Sequence, residues 1–402
     1  MGKKKVKVKS NKNSPLEEVR KKNPLLGRGW GGSSPSSGGV GEASASKILI
    51  IQQKMIGDVL VSSLICENLK LNYPEAEVHY VVNRFTIPVI ENNPYIDQIV
   101  VFEDEYRSNK FAFYKFLKHI RQSNYDVVID AYGKLESNLI TLCSGAKIKI
   151  GWEKSLTKFI YTHPVGRLKQ PQSEAGLAIE DRLNLLSPLQ LDREMVSRPK
   201  IHLTIEELAK AKLKLQKFSV DFSKPIFMIG ILGSESSKTY PLQKMAKVLD
   251  YLVEKTDGQL LFNYMLKQRK KAVEAYKLCK PSTQNKIHVD LLGNSLREFM
   301  ALTYQCDALL GNEGGAVNMA KALFIPTFTI FSPWINPLAW ASFEDGKHHM
   351  SIHLKELKPS FYSNVNFKEL KPKSERLYYQ LDEGKVIKSL SDFLKFYKSI
   401  SK

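Results

Sequence analysis

The stretch that decides the fold is KILIIQQKMIGDVLVSSLI, residues 47–65. It opens with a short apolar run, which predicts a buried strand over 47–52. Apolar residues then recur at helical spacing from 61 to 69, so we expect a helix that begins near Gly57 and Asp58. A buried strand followed at once by a helix is the repeating unit of a parallel α/β sheet.

The same unit recurs along the chain in two blocks. The further predicted strands lie at 78–82, 98–102, 126–131, 147–151, 225–231, 259–263, 286–289, 308–311 and 327–331. Strands that alternate with helices over short loops predict a doubly wound parallel sheet in each block. We therefore expect an α/β fold with a first domain over 47–205, a second over 206–350, and a tail over 351–402 that closes with an amphipathic helix.

The net charge of +19 arises from 60 Lys and Arg residues against 41 Asp and Glu residues. Residues 1–46 hold ten basic and three acidic residues, a net +7, which leaves +12 for residues 47–402. We expect this Gly/Ser-rich leader to be disordered; it is either a tag or non-native extension, which we favour, or a basic arm for nucleic acid. The remaining +12 suits a polyanionic partner such as nucleic acid, a membrane surface or a phosphorylated substrate.

Compartment and metal chemistry leave weaker signals. The sequence has no run of about 18 apolar residues and no apolar segment behind its basic start, so we expect no transmembrane helix and no secretory signal. Four scattered cysteines without a C-x-x-C pair predict buried free thiols in a reducing compartment. We expect the histidines at 348, 349 and 353 to be surface or tail residues, and no metal site.

The loops that follow strands are the positions to inspect, because ligands of open α/β sheets bind outside the carboxyl ends of the strands. The first such loop, residues 53–58, turns at Gly57 and places Asp58 at a helix N-terminus. Asp58 is either a helix cap or a carboxylate in the cleft that accepts a proton from a substrate hydroxyl.

The second loop, residues 233–241, contains Ser236, Ser237, Lys238 and Thr239. Hydroxyls, free backbone N–H groups and one ammonium suit a phosphate at a helix N-terminus. The loop is not a P-loop, because Ser237 precedes the lysine where that pattern needs glycine. A solvated polar loop is the alternative interpretation.

The third loop is Gly311-Asn312-Glu313-Gly314-Gly315, ahead of a predicted helix over 316–323. Paired glycines at a helix N-terminus let the backbone approach an anion closely. Beside such a site, Glu313 suits sugar hydroxyls better than phosphate. The alternative is an ordinary turn with a capping acid.

A basic stretch from Lys134 to Lys169 carries seven cations, Lys154 among them, against two acids. If it lines the cleft of the first domain, it suits an anionic acceptor. Otherwise it is a solvated surface.

Four segments in this order resemble glycosyltransferase family 9, the heptosyltransferase family of bacterial lipopolysaccharide assembly, and the resemblance covers nearly all of residues 47–400. They are KILIIQQKMIGDVLVSSLI; DVVIDAYGKLESNLI with AKIKIGW; ILGSESSKTYPLQKMAKVLDYL; and SLREFMALTYQCDALLGNEGGAVNMAKALFIPTFTIFSP. The last segment is similar to the most diagnostic stretch of the family.

The resemblance implies a GT-B fold, in which two Rossmann-like domains face a central cleft and a C-terminal helix returns toward the first domain. It implies inverting, metal-independent transfer of a heptose without a cofactor, from a nucleotide sugar that is usually ADP-heptose, to a lipopolysaccharide or lipooligosaccharide core acceptor. It also implies a cytoplasmic enzyme, peripheral on the inner membrane. The implied roles are Asp58 as general base and Ser236, Ser237, Lys238, Thr239, Glu313, Gly314 and Gly315 as donor-binding residues. From the first loop and the basic stretch of the first domain we further predict Gly57, Lys134 and Lys154 as acceptor-binding residues.

Four departures from the family pattern bear on the donor. Glu313 replaces the usual Asp, Gly314 replaces a usual Ser or Thr, and Asn318 stands where His is frequent. In addition, Asn263-Tyr264-Met265 replaces the Gly-rich end of the second donor strand. They leave open a member of the same family that uses another nucleotide sugar and glycan acceptor. A non-catalytic nucleic-acid-binding protein is the rival from another class, although no nucleic-acid-binding motif is present.

Overall fold

Two parallel six-stranded sheets organise the residues that the computed structural model describes, 47–363 and 365–397. The strands of the first sheet are β1 Lys47–Ile51, β2 Glu77–Asn83, β3 Gln98–Phe102, β4 Val127–Asp130, β5 Ile148–Trp152 and β6 His163–Val165. Those of the second are β7 Ile226–Gly230, β8 Gln259–Asn263, β9 Ile287–His288, β10 Ala308–Asn312, β11 Thr327–Ile330 and β12 His349–Ile352. The predictions for residues 1–46 lie outside the described residues.

Helices connect the strands and cover the sheets. They are α1 Ile56–Asn72, α2 Lys110–Gln122, α3 Leu135–Cys143, α4 Leu177–Asn184, α5 Ile205–Lys217, α6 Leu242–Thr256, α7 Arg269–Leu278, α8 Pro281–Gln284, α9 Leu296–Tyr304, α10 Gly315–Ala322, α11 Pro337–Trp340, α12 Leu354–Leu357, α13 Pro359–Tyr362, α14 Ser374–Tyr378 and α15 Glu383–Tyr397. The predicted α/β architecture is confirmed.

Both sheets have the same topology. The order is β3-β2-β1-β4-β5-β6 in the first and β12-β11-β10-β7-β8-β9 in the second, so each begins in the middle and grows outward in two directions. All pairings are parallel, for example Ile50 with Tyr80 and Ile129. The order reverses between β1 and β4, and again between β7 and β10, which creates a ligand crevice at each switch point.

One hydrophobic cluster joins the inner faces of the two sheets. It includes Ile48 and Ile50 of the first sheet, Met228 of the second, Leu64 of α1 and Met300 of α9. Because these side chains are buried together, the two sheets and the helices between them pack as one body. Their carboxyl edges are therefore held in a defined relation.

The last helix departs from the prediction. Val386, Leu390 and Phe393 of α15 are buried in the second sheet's outer core, where Phe393 packs against Phe328 of β11. The expectation that the C-terminal helix returns toward the first domain was therefore wrong, since the apolar stripe of α15 is used by the second sheet. The boundary expected at residue 350 falls within β12.

The tail histidines also differ from expectation. His349 and His353 are buried, whereas surface or tail positions were predicted; His353 does lie in the tail. The Nδ1 atom of His353 accepts a hydrogen bond of 2.9 Å from the N–H of Lys355, and His349 Nδ1 lies 3.0 Å from Thr327 Oγ1. Both rings are structural parts of the second sheet's edge.

Burial of His353 predicts a loss of stability in acid. Burial lowers the pKa of His353 to about 4. Between pH 6.5 and 4, the imidazole is therefore mostly protonated in the unfolded chain and mostly neutral in the folded chain. Stability is lost as the pH falls from 6.5 toward 4, by about 2 kcal/mol at pH 5 for this one group. Urea unfolding at pH 7.5 and 5.0 measures this loss in the free energy of unfolding. The variant His353→Asn retains a capping group and should reduce the difference between the two pH values. An unchanged difference in this variant would contradict the assignment to His353.

Two further expectations concern thiols and membrane spans. The four cysteines are free, and Cys66, Cys279 and Cys306 are buried as predicted, whereas Cys143 is partly exposed. Within 47–363 and 365–397, no helix has the length and apolar character needed to cross a membrane.

Candidate functional site

The loops predicted to carry chemistry lie at the carboxyl edges of the two sheets. Residues 52–55 follow β1, residues 131–134 follow β4, residues 231–241 follow β7, and residues 313–314 follow β10. These four strands flank the two switch points. A ligand held by both sheets would contact all four loops.

Asp58 lies in the first turn of α1. Its Oδ2 atom accepts a hydrogen bond of 3.4 Å from the backbone N–H of Met55, which is a capping contact. Its Oδ1 atom accepts a hydrogen bond from the guanidinium of Arg182 and forms an ion pair with it. The side chain nevertheless stays 24% exposed, so the carboxylate caps the helix and can still meet a substrate hydroxyl.

Arg182, which sequence analysis missed, comes from α4 and is buried. Its Nη1 atom donates a hydrogen bond of 3.1 Å to the carbonyl of Ala178, and its Nε atom has no hydrogen-bond partner among the described residues. Burial lowers the pKa of Arg182, and the negative charge of Asp58 opposes that change. Because a buried cation is costly without a partner, Arg182 and Asp58 hold each other in place.

Three cations line the carboxyl ends of β4, β5 and β6. The Lys154 ammonium donates a hydrogen bond of 2.6 Å to the carbonyl of Gly133, next to Lys134. Burial, and then the charges of Lys134 and Arg167, lower the pKa of Lys154. The guanidinium of Arg167 stacks 3.7 Å from the ring centre of Trp152. The fold thus brings the predicted pair Lys134 and Lys154 together, and clustered cations of this kind attract an anion.

The second loop folds upon itself between β7 and α6. The N–H of Gly233 donates to Thr239 Oγ1 at 3.0 Å, and this hydroxyl donates to the carbonyl of Glu235 at 2.9 Å. The Thr239 hydroxyl therefore closes the loop and is engaged before any ligand binds. Ser236, by contrast, is exposed.

Lys238 and Glu313, predicted separately, form an ion pair of 3.1 Å. Lys238 comes from the loop after β7 and Glu313 from the loop after β10, so the pair spans the switch point of the second sheet. The Lys238 ammonium also lies 5.3 Å from the ring centre of Trp334, a cation–π contact. The lysine is partly exposed, with 22% of its side chain accessible.

A second cation, which sequence analysis missed, also lies close to the Trp334 ring. Lys371, from the tail, lies 4.9 Å from the ring centre and forms an ion pair of 2.9 Å with Glu235. The indole N–H of Trp334 donates to the carbonyl of Ser237 at 3.2 Å, and the Ser332 hydroxyl donates to the same carbonyl at 2.6 Å. The tail therefore helps to shape the second loop.

Asn312 fastens the second loop to the third. Its Nδ2 atom donates to the carbonyls of Gly230 and Ile231 at 2.9 and 3.0 Å, and its Oδ1 atom accepts from the N–H of Tyr240 at 2.7 Å. The side chain is buried and uses these hydrogen bonds to connect the ends of β7 and β10. It fixes the spacing between Lys238 and the helix that follows β10.

The N-termini of α1 and α10 pack against each other. A Cβ atom at Gly57 would lie 2.8 Å from Asn318 Nδ2, and one at Gly315 would lie 4.0 Å from Ile56 Cγ2. Gly57, predicted to contact an acceptor, thus permits this close approach. Gly314 has a φ of +152°, which favours glycine, and a Cβ there would meet no atom within 4 Å. The N-terminus of α10 therefore opens onto free space beside the helix that carries Asp58.

Comparison with known proteins supports a single family. The model of glycosyltransferase family 9 (heptosyltransferase) matches residues 113–368. Lipopolysaccharide heptosyltransferase 1 of Campylobacter coli is 23% identical over 291 residues, which cover 71% of this chain and 83% of that protein. Lipooligosaccharide heptosyltransferase 2 of Haemophilus ducreyi is 23% identical over 290 residues, with coverage of 70% and 81%.

Solved structures share the fold. A glycosyl transferase of family 9 from Veillonella parvula superposes with a TM-score of 0.69 at 18% identity, covering 88% of this chain and 100% of that one. The ADP-heptose lipopolysaccharide heptosyltransferase II of E. coli superposes with a TM-score of 0.61 at 18% identity, covering 83% and 99%. These likenesses confirm the GT-B arrangement of the two sheets.

Proposed function

The chain belongs to glycosyltransferase family 9, the heptosyltransferases, and on that premise we propose that it transfers a heptose from ADP-heptose to a lipopolysaccharide or lipooligosaccharide core acceptor. The donor is supported by the name of the structural relative from E. coli, which is an ADP-heptose enzyme. The acceptor class is supported by the names of the curated relatives. The two switch points at the carboxyl edges support this proposal, since each is suited to hold one substrate.

The proposed reaction is a direct displacement at the anomeric carbon. An acceptor hydroxyl held near Asp58 attacks from the face opposite the diphosphate, the carboxylate takes the proton, and the configuration inverts. Arg182 orients the carboxylate through the ion pair between them. Metal-independent departure of the diphosphate is part of the proposal.

Protein cations and a helix N-terminus stabilise the leaving group in this mechanism. Negative charge grows on the diphosphate as the glycosidic bond breaks, and Lys238 with the first N–H groups of α10 is suited to meet it. Glu313, which pairs with Lys238, is suited to accept hydrogen bonds from sugar hydroxyls. Lys238 would then bridge the acid that holds the sugar and the phosphate that departs.

The observation that carries the proposal is the packing of two helix N-termini, one with Asp58 and one with Gly314 and Gly315. This packing supports the proposal because it brings the proposed general base and the proposed anion site side by side, as a displacement between acceptor and donor requires. The basic cluster at Lys134 and Lys154 supports a phosphorylated acceptor. An enzyme of this kind would act in the cytoplasm at the face of the inner membrane, where such a glycolipid is exposed.

A thermal-shift panel of ADP-heptose, ADP, GDP, UDP and their sugars tests the donor. A ligand that binds only the folded chain raises the midpoint of unfolding, so ADP-heptose should give the largest rise. A larger rise with a GDP or UDP sugar would identify a family member with another donor. Binding to nucleic acid that falls steeply with salt, without any response to sugar nucleotides, would instead support the rival interpretation.

Arg182→Lys tests the positioning role of the guanidinium. Lysine keeps the charge but cannot reproduce the paired geometry, so we expect kcat to fall about tenfold, the equivalent of one charged hydrogen bond. Affinity for ADP should stay within about twofold. Arg297, which is buried and pairs with the partly exposed Glu207 outside the site, supplies the control: Arg297→Lys should lower thermal stability without a selective loss of kcat. Equal kcat for wild type and Arg182→Lys would show that the guanidinium does not position Asp58.

A further inference from the structure

The surface beside the basic cluster carries apolar side chains that the fold leaves outside. Among the large apolar residues of the described chain, five are more than 70% exposed, and three of these are Leu135, Leu156 and Phe159. Leu156 is 88% exposed and Phe159 is 77% exposed. Single exposed apolar residues are ordinary, but the exposure of three such residues on neighbouring segments requires a physical explanation.

The segments that carry these three residues are joined to each other. Leu135 is the first residue of α3, directly after Lys134. The segment with Leu156 and Phe159 is fastened to that region by Lys154, which bonds to the carbonyl of Gly133, and by Tyr161. The Tyr161 hydroxyl donates to Asn138 of α3 at 2.8 Å. The three apolar residues therefore lie on adjacent segments at one edge of the first sheet, and we name them, together with Lys134, Lys154 and Lys158, the apolar–basic rim.

The exposure is built into an ordered turn. The N–H groups of Thr157 and Lys158 donate to the carbonyl of Lys154 at 3.0 and 2.9 Å, which closes the turn beneath Leu156. Ile160 and Tyr161 are buried and anchor its far end. Because both ends are fixed while Leu156 and Phe159 point outward, their exposed area costs free energy that only a partner outside the chain can recover.

We propose that the apolar–basic rim docks the enzyme on an anionic membrane, with Leu156 and Phe159 inserted among the lipids and the three lysines at the headgroups. This inference deepens the proposed function and depends on it for the acceptor. Lysine beside exposed Leu and Phe is the pattern of an interfacial membrane anchor, whereas interfaces between proteins are depleted in lysine. The single acid within the turn, Glu153, leaves the rim net positive.

The position of the rim explains its use. It lies at the carboxyl ends of β4 and β5, the same edge of the first sheet from which Asp58 is presented. Docking through the rim would bring the acceptor side of the cleft to the membrane surface. A glycolipid headgroup could then reach Asp58 without leaving its bilayer.

Vesicle co-sedimentation of the whole chain tests the docking without any substrate. Wild-type protein should bind vesicles of phosphatidylglycerol and phosphatidylethanolamine, and bind phosphatidylcholine vesicles far less. The double variant Leu156→Ser with Phe159→Ser should bind at least about tenfold more weakly, since each side chain loses its transfer into the lipid. Ile205→Ser, which removes a side chain of the same 77% exposure elsewhere, should bind like wild type.

Unchanged vesicle binding by the double variant would overturn the proposal. Absence of binding between the wild-type protein and anionic vesicles would overturn it as well. Sedimentation velocity adds a further outcome. If the wild type does not bind vesicles but self-associates, and the double variant does not self-associate, the rim is an interface between copies of the chain and the proposal is overturned.

A transfer assay separates the role of the rim from the chemistry of transfer. The double variant should lose transfer to vesicle-embedded glycolipid and retain it with deacylated acceptor. Vesicle binding by a wild type that transfers to neither acceptor would refute the proposed function and leave the docking intact.

Discussion

Asp58→Asn is expected to lower kcat by about 10²–10⁴-fold, the usual contribution of a general base. Asparagine has the shape of aspartate and can still accept the N–H of Met55, but it cannot take a proton from the acceptor. The diphosphate contacts other groups in the proposed site, so the affinity for ADP should change by no more than about twofold. Steady-state transfer kinetics and calorimetric titration with ADP measure the two quantities.

A matched variant separates the base from the cap. Asp58→Gln keeps a side-chain oxygen at the third helical position that can accept the N–H of Met55 and removes the carboxylate, so it should fold and be as inactive as Asp58→Asn. Both variants leave the buried charge of Arg182 without its partner, and a modest fall in melting temperature is expected from that loss. Wild-type turnover in Asp58→Gln would show that Asp58 is only a cap.

Lys238→Ala is expected to lower kcat/KM by about 10²–10³-fold, as for loss of one donor that stabilises a developing oxyanion. The same change should weaken ADP binding by about tenfold or more, because Glu313 loses its ion pair and then repels the diphosphate. The two effects together distinguish a donor-site cation from a residue that supports only the loop. Competition of ADP against the donor, followed by transfer kinetics, measures both.

Lys371→Ala is the comparison for this result. Lys371 contacts the same indole ring but pairs with Glu235, and we expect a smaller loss because the ion pair of Lys371 lies on the loop and not across the switch point. Equal losses in the two variants would mean that the ring, rather than the Lys238 ammonium, shapes the site. Unchanged ADP affinity in Lys238→Ala would remove the lysine from the donor site.

Most of the fold was accessible from the sequence because buried parallel strands are continuous apolar runs. Ten of the twelve strands were predicted, and β1 with the helix after it was sufficient to indicate the architecture. The two that were missed, His163–Val165 and His349–Ile352, are short edge strands that begin with histidine. Both strands are only partly buried and contain polar residues, so they lack the continuous apolar run by which the others, including the edge strands β3 and β9, were recognised.

The site was predictable where a loop follows a strand and less so where a partner comes from far along the chain. Asp58 and Lys238 stand next to strands, and their neighbourhood follows from topology. Arg182 lies 124 residues from Asp58, and a charged residue in a short helix has no local signal of its target. Asn312 was visible in its motif, but its role as a tie between β7 and β10 depends on register, which the sequence does not reveal.

The tail shows the same limit. The amphipathic pattern of α15 predicted a helix with one buried face, and the structure has that helix. Which sheet it covers depends on the shape of the cavity left by α6 and the neighbouring strands, and no local pattern encodes that shape. Lys371 reaches Trp334 only because the tail packs on the second sheet.

The most direct measurement is a transfer assay with ADP-heptose and a deacylated lipopolysaccharide core acceptor in the presence of EDTA, with products analysed by mass spectrometry and NMR. We predict addition of one heptose, release of ADP, an anomeric configuration opposite to that of the donor, and no transfer by Asp58→Asn above about 1% of wild type. Three results would contradict the proposed function and mechanism. They are transfer from a UDP or GDP sugar while ADP-heptose is not used, retention of the anomeric configuration, and full activity in Asp58→Asn.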